Sequence, residues 1–214
     1  MISKKRSAGF NPVVIPAIDL KRFDLTIIGD TPLIVHKWSQ KAKQMILDKE
    51  MKKPKAKGHD VKNPVEDFIE SLYWISRQPD EYTEEAFDAA IKAGAKFSFP
   101  STAFKAAAVS AGYRAGVMKD KVSSNGAFHI MPGMVEIIGT PHMREDMVRV
   151  GMGSADIRYR GEFENWKTTL PITYNASAYS MEQIINLFNL GGFACGVGEW
   201  RPEKGGNNGM FHVE

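Results

Sequence analysis

An α+β fold, with an antiparallel sheet covered by helices on one face, is predicted by three observations. First, two runs near residues 156–163 and 168–174 alternate with the period of a strand: Ile157 and Tyr159 fall on one face and Arg158 and Arg160 on the other, while Leu170, Ile172 and Tyr174 oppose Thr169 and Thr173. Second, two segments far apart in the chain carry helical spacing. One is the alanine-rich stretch ending near Arg114, with Phe104, Ala107, Ala108 and Ala111 facing in, and the other holds Met181, Ile184, Ile185, Leu187 and Phe188. Third, the elements follow the order strand, helix, strand, strand, helix, strand, which is the ferredoxin-like plan. A mixed β-sandwich with helices is the alternative arrangement of the same elements.

In chain order, residues 1–22 read as a basic N-terminal arm, with Lys4, Lys5 and Arg6 among Pro12 and Pro16. Residues 23–29 form the first strand, with Leu25, Ile27 and Ile28 apolar. Asp30-Thr31-Pro32 breaks it, and 33–35 resumes an extended apolar run. Ser39 caps a helix carrying Ala42, Met45, Ile46 and Met51. Residues 52–62 then form a mobile basic insertion, because Pro54 and Gly58 stop a helix and the lysines repel one another. Asn63-Pro64 restarts a helix with proline at its first position, and Phe68, Leu72, Tyr73 and Ile75 make its apolar face. A short helix over 84–93 and an extended piece over 97–100 precede the alanine-rich helix, which Ser101 or Thr102 caps.

From Asn125 the pattern turns to β. Segments 127–131 and 134–138 flank Pro132-Gly133 and read as a hairpin, and 147–150 is a further strand. The 156–174 hairpin supplies the middle strands of the plan. A final helix, stopped by Gly191 or Gly192, leads through a glycine-rich loop to a last strand over 210–213. The whole of 23–214 is read as one α+β domain, and the sheet face without helices is open to a ligand or partner.

Composition narrows the function classes. The formal net charge of +3 is mild and is compatible with nucleic-acid binding. The single cysteine, Cys195, rules out an internal disulfide and a cysteine-based zinc cluster, fits a reducing compartment, and reads as a buried small hydrophobe. None of the five histidines, His36, His59, His129, His142 and His212, has a metal-site spacing. No Walker-type phosphate loop or nucleophile elbow occurs, so neither a metal nor a cofactor is expected. No apolar run reaches membrane-spanning length and the basic start lacks an apolar continuation. The expected location is the cytoplasm, without a membrane partner.

Cations interleaved with aromatics carry the functional reading. Phosphates need Lys or Arg, and single strands add ring platforms on which bases stack. The chain offers His36, Lys37 and Trp38 after the first strand, and Lys52, Lys53 and Lys55 in the basic insertion. It offers Arg144, Arg149, Arg158 and Arg160 around the β region, with Glu145, Asp146, Glu162 and Glu164 among them. In the glycine-rich loop it offers Trp200, Arg201, Lys204, Gly205 and Gly206. Those two glycines would let a ligand backbone approach where a Cβ would collide.

The run Gly191-Gly192, Gly196-x-Gly198, Gly205-Gly206 and Gly209 resembles the glycine-rich loop of RAMP proteins, the ferredoxin-like subunits of CRISPR effector complexes. It departs from that pattern at the interruption Glu199–Lys204. Gly29–Trp38 and Met143–Gly151 are similar to segments of an uncharacterised group of tailed-bacteriophage proteins. The RAMP resemblance implies a protein that coats single-stranded RNA or DNA as a homo-oligomer or filament. The 52–62 insertion would pass onto the next subunit, and no catalytic residue would be needed. It also implies two alternatives. One is a metal-independent endoribonuclease with His36 as general base and Lys37 stabilising the transition state. The other is an interaction protein that mimics a subunit of a host defence complex and binds a host or phage assembly.

Overall fold

Local chemistry sets the helix boundaries. The computed structural model describes residues 15, 17–52, 62–150 and 154–214. Within them the strands are β1 (Leu20–Gly29), β2 (Leu33–Val35), β3 (Phe97–Pro100), β4 (Phe128–Ile130), β5 (Met134–Ile137), β6 (Pro141–Val150), β7 (Ser154–Phe163), β8 (Lys167–Asn175) and β9 (Phe211–Val213). The helices are α1 (Gln40–Glu50), α2 (Pro64–Ser71), α3 (Glu84–Lys92), α4 (Ser101–Arg114), α5 (Lys121–Ala127) and α6 (Met181–Ala194). Asn63 caps α2 with Pro64 at the first position, Thr83 caps α3, and Asp120 caps α5. Ser180 and Gln183 form a reciprocal capping box on α6. At α4 no side chain caps the start, because Ser101 is already the first helical residue.

The described strands form three antiparallel sheets, ordered β4-β8-β1-β9, β2-β7-β6 and β3-β5. In the first, Phe23 faces Ile172 and Leu25 faces Leu170 across the β1–β8 ladder. Its inner face buries Leu25, Ile27, Leu170, Ile172 and Phe211. Phe104 of α4 packs edge-on to Phe211 at 5.5 Å, and Phe188 of α6 meets Phe128 of β4 at 5.9 Å. The strand-breaking turn Asp30-Thr31-Pro32 is pinned from two sides: Trp166 Nε1 donates to Thr31 O at 2.9 Å, and Met210 N donates to Thr31 Oγ1 at 2.9 Å.

Several expectations are corrected. β4 and β5 do not form a hairpin across Pro132-Gly133: β4 pairs with β8 and β5 pairs with β3. Each short run is claimed by a different apolar partner strand, and non-local pairing overrides the turn. Nor do β7 and β8 form a hairpin. β7 runs the whole length of β6, and β8 takes β1. The chain changes sheets at Glu164-Asn165-Trp166, where the buried Trp166 fills the corner. Gly191 and Gly192 do not stop the last helix but lie inside it. A Cβ on Gly191 would stand 2.7 Å from the backbone nitrogen of Ala108 in α4, and one on Gly192 would run into the Phe211 carbonyl of β9. Close approach to α4 and β9, rather than termination, is the reason for both glycines. The first strand starts at Leu20, inside the stretch read as the basic arm. Helix α5 and the N-terminal half of β6 were not anticipated. Among the described residues no helix is long and apolar enough to cross a membrane.

Candidate functional site

Two distant segments are strapped together at one end of β2. The backbone nitrogen of Glu199 donates to Ile34 O at 2.9 Å, and that of Gly209 donates to Pro32 O at 2.8 Å. The chain leaving β2 is in turn fixed by Lys37 N donating to Ser71 O at 2.9 Å. A cleft of about 220 Å³ lies at this junction. Its apolar wall is Ile34, Phe99, Val197 and the small side chains Ala103, Ala106 and Ala107 of α4. Its polar groups are His36, Tyr73, Glu199, Arg201 and Glu203.

His36 is held from behind by a chain of charged groups on the β6–β7 sheet. Register places His142 opposite Glu162, Arg144 opposite Arg160 and Asp146 opposite Arg158, so all six share one face. His142 Nε2 lies 3.0 Å from Glu162 Oε2, and Arg144 donates to Glu162 Oε1 at 2.6 Å and to Asp146 Oδ1 at 2.9 Å. Arg160 Nη1 donates to Asp146 Oδ2 at 3.1 Å, and its Nε donates to His36 Nδ1 at 3.1 Å. Because a guanidinium can only donate, Nδ1 of His36 is an acceptor and the neutral ring carries its proton on Nε2. Burial holds His36 below the ordinary histidine value; Arg160 adds to the shift and Glu199 opposes it. A ring in this state presents a donor to the cleft, whereas the ribonuclease alternative asks it for a free lone pair. Burial, with the Glu199 carboxylate nearby, raises Tyr73, so its hydroxyl keeps its proton.

The glycine-rich loop is internally braced. Arg201 donates to Gly198 O at 3.0 Å and to Glu203 Oε2 at 3.1 Å, and Arg114 of α4 reaches Glu203 Oε1 at 2.9 Å. Burial first, then Glu203, pushes the adjacent Cys195 thiol up. That residue is fully buried and serves as packing, as its sequence context suggested. Trp200 adopts φ = 52°, the left-handed region that non-glycine residues rarely visit, and the residue is 42% exposed. Gly206 is required by this geometry: a Cβ there would run into the Trp200 carbonyl oxygen. The expectation that Gly206 serves ligand approach rather than the fold is therefore corrected. Gly205, at φ = 81°, faces open space.

The structure thus brings His36, Arg160 and Arg201 to one site, with Trp38, 59% exposed, and Trp200 on its two strapped segments. Arg144 and Arg160 are committed to carboxylates, and Arg160 is only 3% exposed, so both shape the site from within. Arg158 lies 3.7 Å from Asp156. Among the described residues Lys37, Lys52, Arg149 and Lys204 have no ion-pair partner. Lys53 and Lys55 lie outside the described residues. Sequence reasoning misses Glu199, which reads as part of an interruption in the loop, and Tyr73, which reads as helix face. It also passes over Asp146 and Glu162, which read as ordinary surface acids. The signal for the last two was their spacing of two from Arg144 and Arg160 on alternating strands.

No protein-family profile matches the chain, and no curated protein matches it. Among solved structures it is similar to the crystal structure of Cmr6 from Pyrococcus furiosus. That likeness has a TM-score of 0.34 and 11% sequence identity, and covers 92% of this chain and 100% of that one. A likeness at that level carries no functional argument.

Proposed function

We propose that the protein binds single-stranded nucleic acid, RNA or DNA, where the 36–38 segment meets the glycine-rich loop. The observation that carries this reading is the pair of exposed tryptophans, Trp38 and Trp200, on the two segments that the Glu199–Ile34 hydrogen bond ties together. A left-handed non-glycine residue costs of order 1–3 kcal/mol. Here that conformation accompanies a tryptophan that is 42% exposed, which suits a stacking platform. Lys37 and Lys204, each next to or near one of these rings in sequence, are the phosphate contacts. Arg149, exposed on the β6–β7 arm, is a further one.

The strand order read from the other edge, β9-β1-β8-β4, is wholly antiparallel, with α4 ahead of β4 and α6 ahead of β9. This order supports a ferredoxin-like reading in which β1, β4, β8 and β9 are the four strands and the other sheets are additions. Self-association into a coat is supported by apolar side chains left in solvent on two projecting elements: Met45, Ile46 and Leu47 on α1, and Met147 and Ile157 on the β6–β7 arm.

Titration of labelled single-stranded RNA, single-stranded DNA and duplex at several salt concentrations tests the proposal. Single strands bind tighter than duplex, and the affinity falls with salt in proportion to the phosphates contacted. Lys204→Ala lowers that salt slope by about one unit. Absence of binding, or binding indifferent to salt, overturns it. Sedimentation of the protein with and without strand tests the oligomer.

A further inference from the structure

The cleft holds polar atoms that the fold leaves unused. His36 offers its Nε2–H, because Arg160 occupies Nδ1. The Tyr73 hydroxyl lines the same cleft, and among the described residues no hydrogen bond engages it. Glu199 lines it too, and among the described residues no hydrogen bond or ion pair engages its carboxylate. Glu203 is shared by Arg201 and Arg114, which leaves one excess positive charge for Glu199 to offset. A cation would meet those arginines and Arg160 behind His36; an anion would meet Glu199. The wall is apolar and includes the ring of Phe99. At about 220 Å³ the space is smaller than sites for drug-sized ligands and suits one ring system.

A neutral, flat ligand is therefore called for, with N–H donors on one side of an edge and acceptors on the other. A carboxylate is best matched by two parallel N–H groups. Of the four common bases, guanine is the one that presents two adjacent donors, N1–H and the N2 amine, beside an acceptor, O6. The adenine amine is flanked by the acceptors N1 and N7 and the cytosine amine has the acceptor N3 beside it, so each would set a lone pair against a carboxylate oxygen, and uracil has a single N–H between two carbonyls. Resting on the strand-binding reading above, we infer that this cleft is a guanine site. Glu199 accepts from N1–H and N2–H, His36 Nε2–H and the Tyr73 hydroxyl donate to O6 and N7, and the ring lies against the apolar wall. Discrimination follows because Glu199, exposed in the free cleft, is covered by a bound ring, and the wrong base leaves that covered carboxylate unmatched.

The test uses the full chain and labelled oligouridine in which one central uridine is replaced by guanosine, inosine or adenosine, with free guanosine monophosphate as a separate arm. The guanosine strand binds about tenfold tighter than the adenosine strand, as expected for hydrogen bonds to a charged group, and inosine, which lacks the N2 amine, falls between. Glu199→Gln, a change at a side chain with no partner in the fold, brings the guanosine-to-adenosine ratio close to one. His36→Gln, which retains a donor, lowers the ratio less than His36→Ala. Equal affinity for the three strands, or a preference that survives Glu199→Gln, overturns the guanine site while strand binding stands. If oligouridine fails to bind but guanosine monophosphate binds and competes with nothing longer, the guanine site stands and the strand reading falls. If neither binds, both fall.

Discussion

On β8 the buried positions are Thr168, Leu170, Ile172 and Tyr174; on β7, one turn of chain earlier, they include Arg160 and Glu162. Burial alternates along β8, whereas Arg160, Gly161, Glu162 and Phe163 of β7 are all buried, and both strands belong to antiparallel sheets. The four-stranded sheet buries hydrocarbon against α4 and α6, where each residue gains from leaving water. The three-stranded sheet buries a chain of ions, in which attraction is set against desolvation and the net contribution to stability is small. The apolar half therefore supplies the stability. The ionic half supplies position, since each link from His142 to His36 has a fixed partner and direction.

Breaking the apolar half has the largest effect. Phe104→Ala removes a fully buried ring that packs on Phe99, Phe211 and Trp166, and destabilises by about 3–5 kcal/mol in denaturant titration. Asp146→Ala is of similar size but different origin: it leaves the buried Arg160 without its carboxylate, at about 3–5 kcal/mol. The two halves separate in the double variant. Asp146→Leu with Arg160→Met recovers most of the loss, because removing both charges removes the desolvation cost as well, yet it frees Nδ1 of His36. Failure of the double variant to recover would mean that the ionic half contributes net stability after all.

Smaller changes sharpen the contrast. Trp200→Gly is more stable than Trp200→Ala by roughly 1 kcal/mol, since only glycine is at ease at φ = 52°. Both weaken strand binding by about 1–3 kcal/mol if a base stacks there. A ring whose loss costs stability instead would be a packing element. The smallest effect is on pH. His36 has its pKa lowered by burial, with Arg160 adding to the shift, so the unfolded chain takes up this proton first as pH falls. The stabilisation is present above the ordinary value of 6.5 and is lost as pH drops below it toward the folded-state value. Melting temperature therefore declines more steeply below 6.5 in the native protein than in His36→Gln. Parallel profiles would show that the ring titrates freely.

The sequence made the elements legible far better than their partners. Leu170, Ile172 and Tyr174 announce an inward face, and Asn63-Pro64 announces a helix start, because both are local effects. The swap of sheets at Trp166 was not legible, since it depends on an indole reaching Thr31, 135 positions away in sequence. Likewise Gly191 looks like a helix stop until α4 lies against it. At the site, the cations were visible, but their commitments were not. Nothing local distinguishes Arg149, in solvent, from Arg160, closed in by His36 and Asp146. The juxtaposition of His36 with Glu199 follows only from a main-chain hydrogen bond between segments more than 160 residues apart.

The distribution of the four tryptophans has a practical consequence. Trp74, half-buried against the core, donates to Ile69 O and Trp166 fills the corner between sheets, whereas Trp38 and Trp200 are exposed on the two segments strapped together beside the cleft. Intrinsic fluorescence is therefore divided into a shielded blue-shifted part and a solvent-exposed red-shifted part. Iodide quenches the second without touching the first, and anything that covers the cleft withdraws it from the quencher. The protein can thus report occupancy of this face without a label, and Trp38→Phe and Trp200→Phe assign the signal to one segment or the other.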